Sequence, residues 1–175
     1  MSERRLPRKI VLTGSESSGK TELAGLLGRH FQAPVSIEFV RQYAATHPRL
    51  EFGDHGAIAR GQMAAEDEAI ARAHDLVILD TDLVSTVVYC EHYFGRCPPW
   101  IEDEARTRAG DLYLLLRPDI PWIADGVRDR GDRRLEMHAL FRSKLQTLGV
   151  PFREIGGDRD ARLAAALQAI DGAST

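Results

Sequence analysis

At 175 residues and 19.5 kDa, the chain is sized for one domain, since domains commonly run to about 100–200 residues. Its 43% apolar and 28% charged composition is that of a folded globular protein and excludes wholesale disorder. With 23 basic against 26 acidic residues, the net charge is −3 and the pI near 6.1, which argues against a binder of duplex DNA or of anionic membranes, both of which need a basic face.

Residues 1–8 carry Arg4, Arg5 and Arg8, lack an apolar run suited to a signal peptide, and are expected to be flexible. No stretch approaches the ~18 continuous apolar residues of a membrane span. Cys90 and Cys97 are too few for a disulfide framework and match no zinc-knuckle spacing, so reduced thiols in a cytoplasmic chain are expected.

Taken in order, Ile10–Thr13 reads as a buried strand. Leu23, Leu26, Leu27, His30 and Phe31 follow at helical spacing. A short second strand is predicted at Val35–Ile37, and Asp54 is the predicted N-cap of a long helix through Ile58, Met63, Ala65 and Ala69. Leu76–Leu79 is wholly apolar, as a parallel strand covered on both faces should be. A helix is expected from Leu83 to about Tyr93, and another after Pro98-Pro99. A fourth strand at Leu112–Leu116 ends at Pro118, and Met137, Leu140, Phe141, Leu145 and Leu148 mark a helical face. A fifth strand at Phe152–Ile155 leads to a final helix capped by Asp158 and stopped by Gly172. Such alternation predicts one α/β domain, a doubly wound parallel sheet with helices on both faces.

Between the first strand and first helix stands Gly14-Ser15-Glu16-Ser17-Ser18-Gly19-Lys20-Thr21, a complete G-x-x-x-x-G-K-S/T pattern. Two glycines let the backbone curl until successive N–H groups point at phosphate oxygens, and the positive end of the next helix adds to that field. Lys20 is placed to reach the outer phosphates and the Thr21 hydroxyl to ligate magnesium. The pattern predicts nucleoside triphosphate binding, with ATP and Mg²⁺ as the expected pair.

Asp80 follows the third strand and is the candidate partner of Thr21 at the metal. Asp82 is divided between capping the next helix and binding substrate. The second strand is expected to run beside the phosphate loop and to deliver Glu38 as general base, with Arg41 to neutralise phosphate or order the carboxylate. Asp80 and Asp82 remain alternatives for the base. Four arginines surround Gly131 between Val127 and Arg134; Arg128, Arg133 and Arg134 are the candidates for a closing lid over about 124–134 that stabilises charge on the transferring group. Gly157 and Asp158 follow the fifth strand, expected to flank the loop on its other side, and either cradle the adenine or form a plain turn.

Together these residues resemble the ribosylnicotinamide kinase domain of the NadR family, over roughly Ile10 to Ile170. The resemblance rests on the phosphate loop, on Glu38-Phe-Val-Arg-Gln-Tyr43, and on Asp80-Thr-Asp-Leu-Val-Ser-Thr86 with Tyr89 and Tyr93-Phe-Gly95. It rests further on Asp119-Ile-Pro-Trp-Ile-Ala-Asp-Gly-Val-Arg-Asp129 running into Gly131–Arg134. It implies a nucleoside-kinase-like fold with five parallel strands, and ATP-dependent phosphorylation of the 5′-hydroxyl of nicotinamide riboside in NAD salvage. In related nucleoside kinases an acid at the end of strand two acts as base, which is similar to Glu38. No nucleotidyltransferase or DNA-binding segment precedes the kinase-like residues, so adenylylation and repression are not implied. Ser15 stands where proline is frequent in the family, and Gln42 where a second glutamate is.

The implied acceptor carries a pyridinium ring, which aromatic faces and carboxylates hold well. Tyr43, Tyr89, Tyr93, Trp100 and Trp122 are candidates for that contact, although large aromatics also build cores. The rival readings are a deoxyribonucleoside or other small-metabolite kinase, and an ATP-binding switch module. A guanine-type switch is excluded by the lack of any asparagine for an Asn-Lys-x-Asp element.

Overall fold

The computed structural model describes residues 6–121 and 133–173. Its strands are β1 (Arg8–Thr13), β2 (Val35–Ser36), β3 (Leu76–Asp80), β4 (Leu112–Leu116) and β5 (Phe152–Ile155). The helices are α1 (Lys20–Phe31), α2 (Phe39–Thr46), α3 (His55–Arg72), α4 (Leu83–Phe94), α5 (Pro99–Thr107), α6 (Arg134–Leu148) and α7 (Arg159–Gly172), and a 3-10 turn spans Phe52–Asp54. All strand pairs are parallel, in the order β2-β3-β1-β4-β5. This is the five-stranded parallel sheet flanked by helices that strand–helix alternation predicts.

Alternation along each strand divides the core in two. Ile10 and Leu12 of β1 join Leu112, Leu114 and Leu116 of β4 under α1 and α7, where Leu23, Leu27, Ala166 and Ile170 meet them. Val11, Val77, Leu79, Tyr113 and Leu115 face the other way, onto Ala59, Val84, Val88, Ile101, Phe141 and Leu145 of α3 to α6. With both faces covered, the central strands carry almost no polar side chain until their carboxyl ends. The chemistry collects at those ends.

Three expectations need correcting. First, β2 and β5 are the two edge strands; β3 and β4 are the neighbours of β1, and therefore of the phosphate loop. Second, Asp54 is the N-cap residue of α3 as expected, but its side chain makes no cap bond to that helix. Its carboxylate accepts from Glu51 N (2.7 Å) and from the Tyr43 hydroxyl (2.8 Å), closing the preceding 3-10 turn. Third, β2 stops at Ser36 and the two-turn helix α2 begins at Phe39, so Glu38 stands at the start of that helix rather than at the end of the second strand. By contrast Asp158 caps α7 as expected, accepting from Ala161 N at 2.9 Å.

Candidate active site

The loop from Gly14 to Gly19 curls at the carboxyl end of β1. Gly14 has φ +137°, and a Cβ there would stand 2.9 Å from the Leu116 carbonyl of β4, so only glycine lets the chain turn so close to the neighbouring strand. Ser17 (φ 51°) and Gly19 (φ 85°) add left-handed residues, the alternation that turns successive N–H groups toward one anion. The Ser18 hydroxyl donates to Ser15 O (2.7 Å), and Lys20 Nζ donates to Ser15 O (2.8 Å) and Gly14 O (3.1 Å). Gly19 offers no side-chain cap to α1, whose first N–H groups therefore face the loop's concavity.

Thr21 and Asp80 meet as the sequence predicts. The Thr21 hydroxyl donates to Asp80 Oδ2 at 2.7 Å, while Asp80 Oδ1 is buried with no hydrogen-bond partner among the described residues. A hydroxyl and a half-satisfied carboxylate at the mouth of an anion cradle are the donor set a phosphate-bound Mg²⁺ requires, so the residues fit the ion. Burial and the nearby Glu38 charge push the Asp80 carboxyl above its usual range, against the opposing Thr21 bond and the charges of Lys20 and Arg41. Among the described residues no group of three or more His, Cys, Asp or Glu forms a metal site of its own.

Beside this pair opens a cleft of about 480 Å³. Its walls come from Glu38 and α2, the turn through Leu50, the His55 and Gln62 face of α3, Thr81 at the end of β3, and the Ser85, Tyr89 and Phe94 face of α4. The Glu38 side chain is only 2% exposed, and its Oε2 accepts from Arg41 Nε at 2.7 Å. Although β2 lies at the sheet edge, Glu38 stands beyond its end, close enough for its charge to act on Asp80. Tyr89 and Tyr93 stack on the α4 wall, centroids 6.1 Å apart and 15° from parallel.

Three residues that sequence reasoning passed over hold these parts together. Gly61 lets the Phe39 ring lie directly on α3, where a Cβ would come within 2.1 Å of the ring. Gln62 next to it accepts from Phe39 N (3.0 Å) and donates to Thr81 O (3.3 Å), fixing the residue after Glu38 to the turn after Asp80. Arg162, 5% exposed, donates to the Ser18, Gly157 and Arg117 carbonyls and to Asp119. It thereby joins the phosphate loop to the exit of neighbouring β4 and to that of the edge strand β5, which strand order sets one strand away. No local pattern marks Gln62 or Arg162, since each acts through partners distant in sequence.

The remaining candidates fall as follows. Asp82 Oδ1 accepts from Val84 N (3.0 Å) and Oδ2 from the Tyr113 hydroxyl (2.6 Å), so capping is the alternative the geometry displays. Burial raises the Asp82 carboxyl to about 6, and burial with the Asp82 charge raises neighbouring Glu66 to about 7 despite Arg108 at 3.3 Å. The Tyr43 hydroxyl is turned to Asp54, and its ring stacks on His47 at 3.9 Å. Trp100 lies on α5 under the Arg60 guanidinium, 5.0 Å from its ring. The Gly157 N–H is engaged by Asp119 Oδ2 (2.8 Å) and Asp158 by its cap. Arg134 opens α6 with Nη1 3.4 Å from Ser17 O, and Arg133 lies 3.9 Å from Glu136. Trp122, Arg128 and most of the expected lid lie outside the described residues.

Sheet order, cradle and flanking cleft define a phosphate-loop kinase fold. Residues 9–162 match the model of a family described as an AAA domain, and the chain belongs to that family. It is 32% identical over 152 residues to the trifunctional NAD biosynthesis/regulator protein NadR of Escherichia coli (strain K12). That match covers 83% of this chain and 37% of the relative, so the chain spans little more than a third of that protein's length. A crystal structure of NadR protein in complex with NR superimposes with a TM-score of 0.79 at 25% identity, covering 97% of this chain and 52% of that one. Thymidylate kinase from Ehrlichia chaffeensis shares the fold, with a TM-score of 0.73 at 14% identity over 95% of this chain and 100% of that one. Among the described residues no helix is long and apolar enough to cross a membrane.

Proposed function

We propose that the chain transfers the γ-phosphoryl group of ATP to the 5′-hydroxyl of nicotinamide riboside, giving nicotinamide mononucleotide and ADP. The observation that carries the reading is the juxtaposition of a phosphate cradle and its Thr21–Asp80 pair with a carboxylate, Glu38, at the edge of a nucleoside-sized cleft. The likeness to NadR supports the choice of acceptor.

In this reading the loop N–H groups and Lys20 hold the β- and γ-phosphates, and phosphoryl transfer asks mainly for positioning and charge neutralisation. Thr21 and Asp80 would hold Mg²⁺, which would supply neutralisation of the phosphate charge. Glu38 takes the proton of the 5′-hydroxyl as that oxygen bonds to the γ-phosphorus and the bond to the β,γ-bridging oxygen breaks. Arg41 keeps the carboxylate oriented until the hydroxyl arrives. Arg134, beside Ser17, is one source of positive charge for the transferring group, and Arg133 and the sequence candidate Arg128 are assigned the same role. A recess of about 180 Å³ lined by Gly19, Glu22, Leu23, Leu26, Ile120, Arg159 and Arg162 suits the donor's base. Tyr89 and Tyr93 offer flat faces to the acceptor ring.

Incubation with Mg-ATP and a panel of nicotinamide riboside, nicotinic acid riboside, deoxyadenosine and thymidine tests the reading. Preferred formation of nicotinamide mononucleotide is expected. Preferred transfer to a deoxyribonucleoside replaces the acceptor, and hydrolysis indifferent to any acceptor replaces the kinase with a nucleotide switch.

A further inference from the structure

Glu16 puts a negative charge inside a loop whose backbone is shaped to attract phosphate. The residue is 1% exposed. Its Oε2 accepts from the Tyr89 hydroxyl at 2.8 Å, and its Oε1 is buried with no hydrogen-bond partner among the described residues. A buried carboxylate without a cation is costly, and one beside a triphosphate is repelled by it as well. Lys20, the cation of the same loop, is turned to the Gly14 and Ser15 carbonyls. The other carboxylates at the site have their own partners: Glu38 has Arg41, and Asp80 has Thr21 and the expected Mg²⁺. Tyr89, which holds Glu16, is a wall of the acceptor cleft, and its ring stacks beside Tyr93. The charge of Glu16 therefore sits at the hydroxyl edge of a ring whose face lines the acceptor cleft.

We propose that Glu16, held by Tyr89, is a specificity residue that selects acceptors whose ring carries a positive charge. This rests on the nucleoside kinase reading and deepens it. A flat cation laid on the tyrosine pair gains from their π-faces and from the carboxylate at the hydroxyl edge of Tyr89, whereas a neutral ring of the same shape gains only the stacking. Low local dielectric strengthens that difference, because Glu16 is shielded from water. Glu16 thus serves two sites: its backbone belongs to the donor's cradle, and its side chain acts on the acceptor's cleft through Tyr89.

The test compares kcat/KM for nicotinamide riboside with that for its 1,4-dihydro form, which differs by one hydride and carries no ring charge, using wild type and Glu16→Gln. Glutamine keeps the shape and an acceptor for the Tyr89 hydroxyl. Wild type is expected to prefer the cation by about 10- to 100-fold, and Glu16→Gln to bring the ratio close to one, mainly through the KM of the cationic acceptor. A wild type that uses both acceptors equally well overturns the assignment without any variant. So does a Glu16→Gln enzyme whose ratio stays within about twofold of wild type, or one that slows both acceptors alike. Activity on other nucleosides with none on either nicotinamide form overturns the acceptor reading itself and this assignment with it, an outcome distinct from the other three.

Discussion

The two halves of the site are built by different means. The donor half is local and made of backbone: eight consecutive residues, Gly14 to Thr21, form the cradle, and Gly14, Ser17 and Gly19 take left-handed angles to do so. The acceptor half is made of side chains from five separate stretches of chain, extending from Glu38 to Phe94 around an open cleft. A cradle that binds the part common to all nucleoside triphosphates tolerates little variation. A cleft assembled from distant side chains can be refitted to a new acceptor by changing a few of them. Damage to the first half should abolish turnover, and damage to the second should grade or redirect it.

The sharpest break in that comparison is Lys20→Ala. Phosphoryl transfer to any acceptor should fall about 100- to 1000-fold, read as kcat, while circular dichroism stays that of the folded chain. Residual turnover near wild type would mean that the cradle does not hold the transferring phosphate.

Arg162→Lys cuts the ties between the phosphate loop and the exits of β4 and β5, because an ammonium cannot span four acceptors in the guanidinium plane. A loss of about 3 kcal/mol in denaturant unfolding is expected. The KM for ATP should rise with the KM for the acceptor near wild type, and equal changes in both would dissolve the division into halves.

The smallest effect concerns pH. Glu66 binds its proton more tightly when folded, at about 7, than at its ordinary 4.5, and Asp82 does so at about 6 against 3.8. The folded state therefore holds more protons than the unfolded one in this window, and the contribution of these two groups to stability falls as pH rises from about 4 to about 7. Unfolding at pH 5, 6 and 7 should show wild type losing stability relative to Glu66→Gln as pH increases. A gap that stays constant would place the Glu66 proton elsewhere.

What could be read from the sequence follows the same division. The strands were legible because β1, β3 and β4 are buried on both faces and so form unbroken apolar runs. The cradle was legible because its whole pattern lies within one turn between a strand and a helix. Thr21 and Asp80 were legible as a pair because parallel strands leave their carboxyl ends at one edge of the sheet. Lateral strand order was not, since apolar runs state burial and not neighbours, so β2 and β5 were expected nearer the loop than they lie. Apart from the bond from Arg162 to Gly157 O, the roles of Gln62 and Arg162 are carried by contacts 19 to 144 residues away, which no local pattern records. Asp82 offered two readings of equal local merit, and only the hydroxyl of Tyr113, 31 residues on, separates them.

The central claim, that Glu38 removes the acceptor's proton while the cradle holds the donor, is tested most directly by single-turnover transfer with Glu38→Gln. Glutamine keeps the shape of the side chain and removes its basicity. The chemical step should slow about 100- to 10,000-fold, with the Kd for Mg-ATP unchanged by calorimetry. A chemical step that keeps its wild-type rate in this variant would contradict the account and move the search for the base to Asp80.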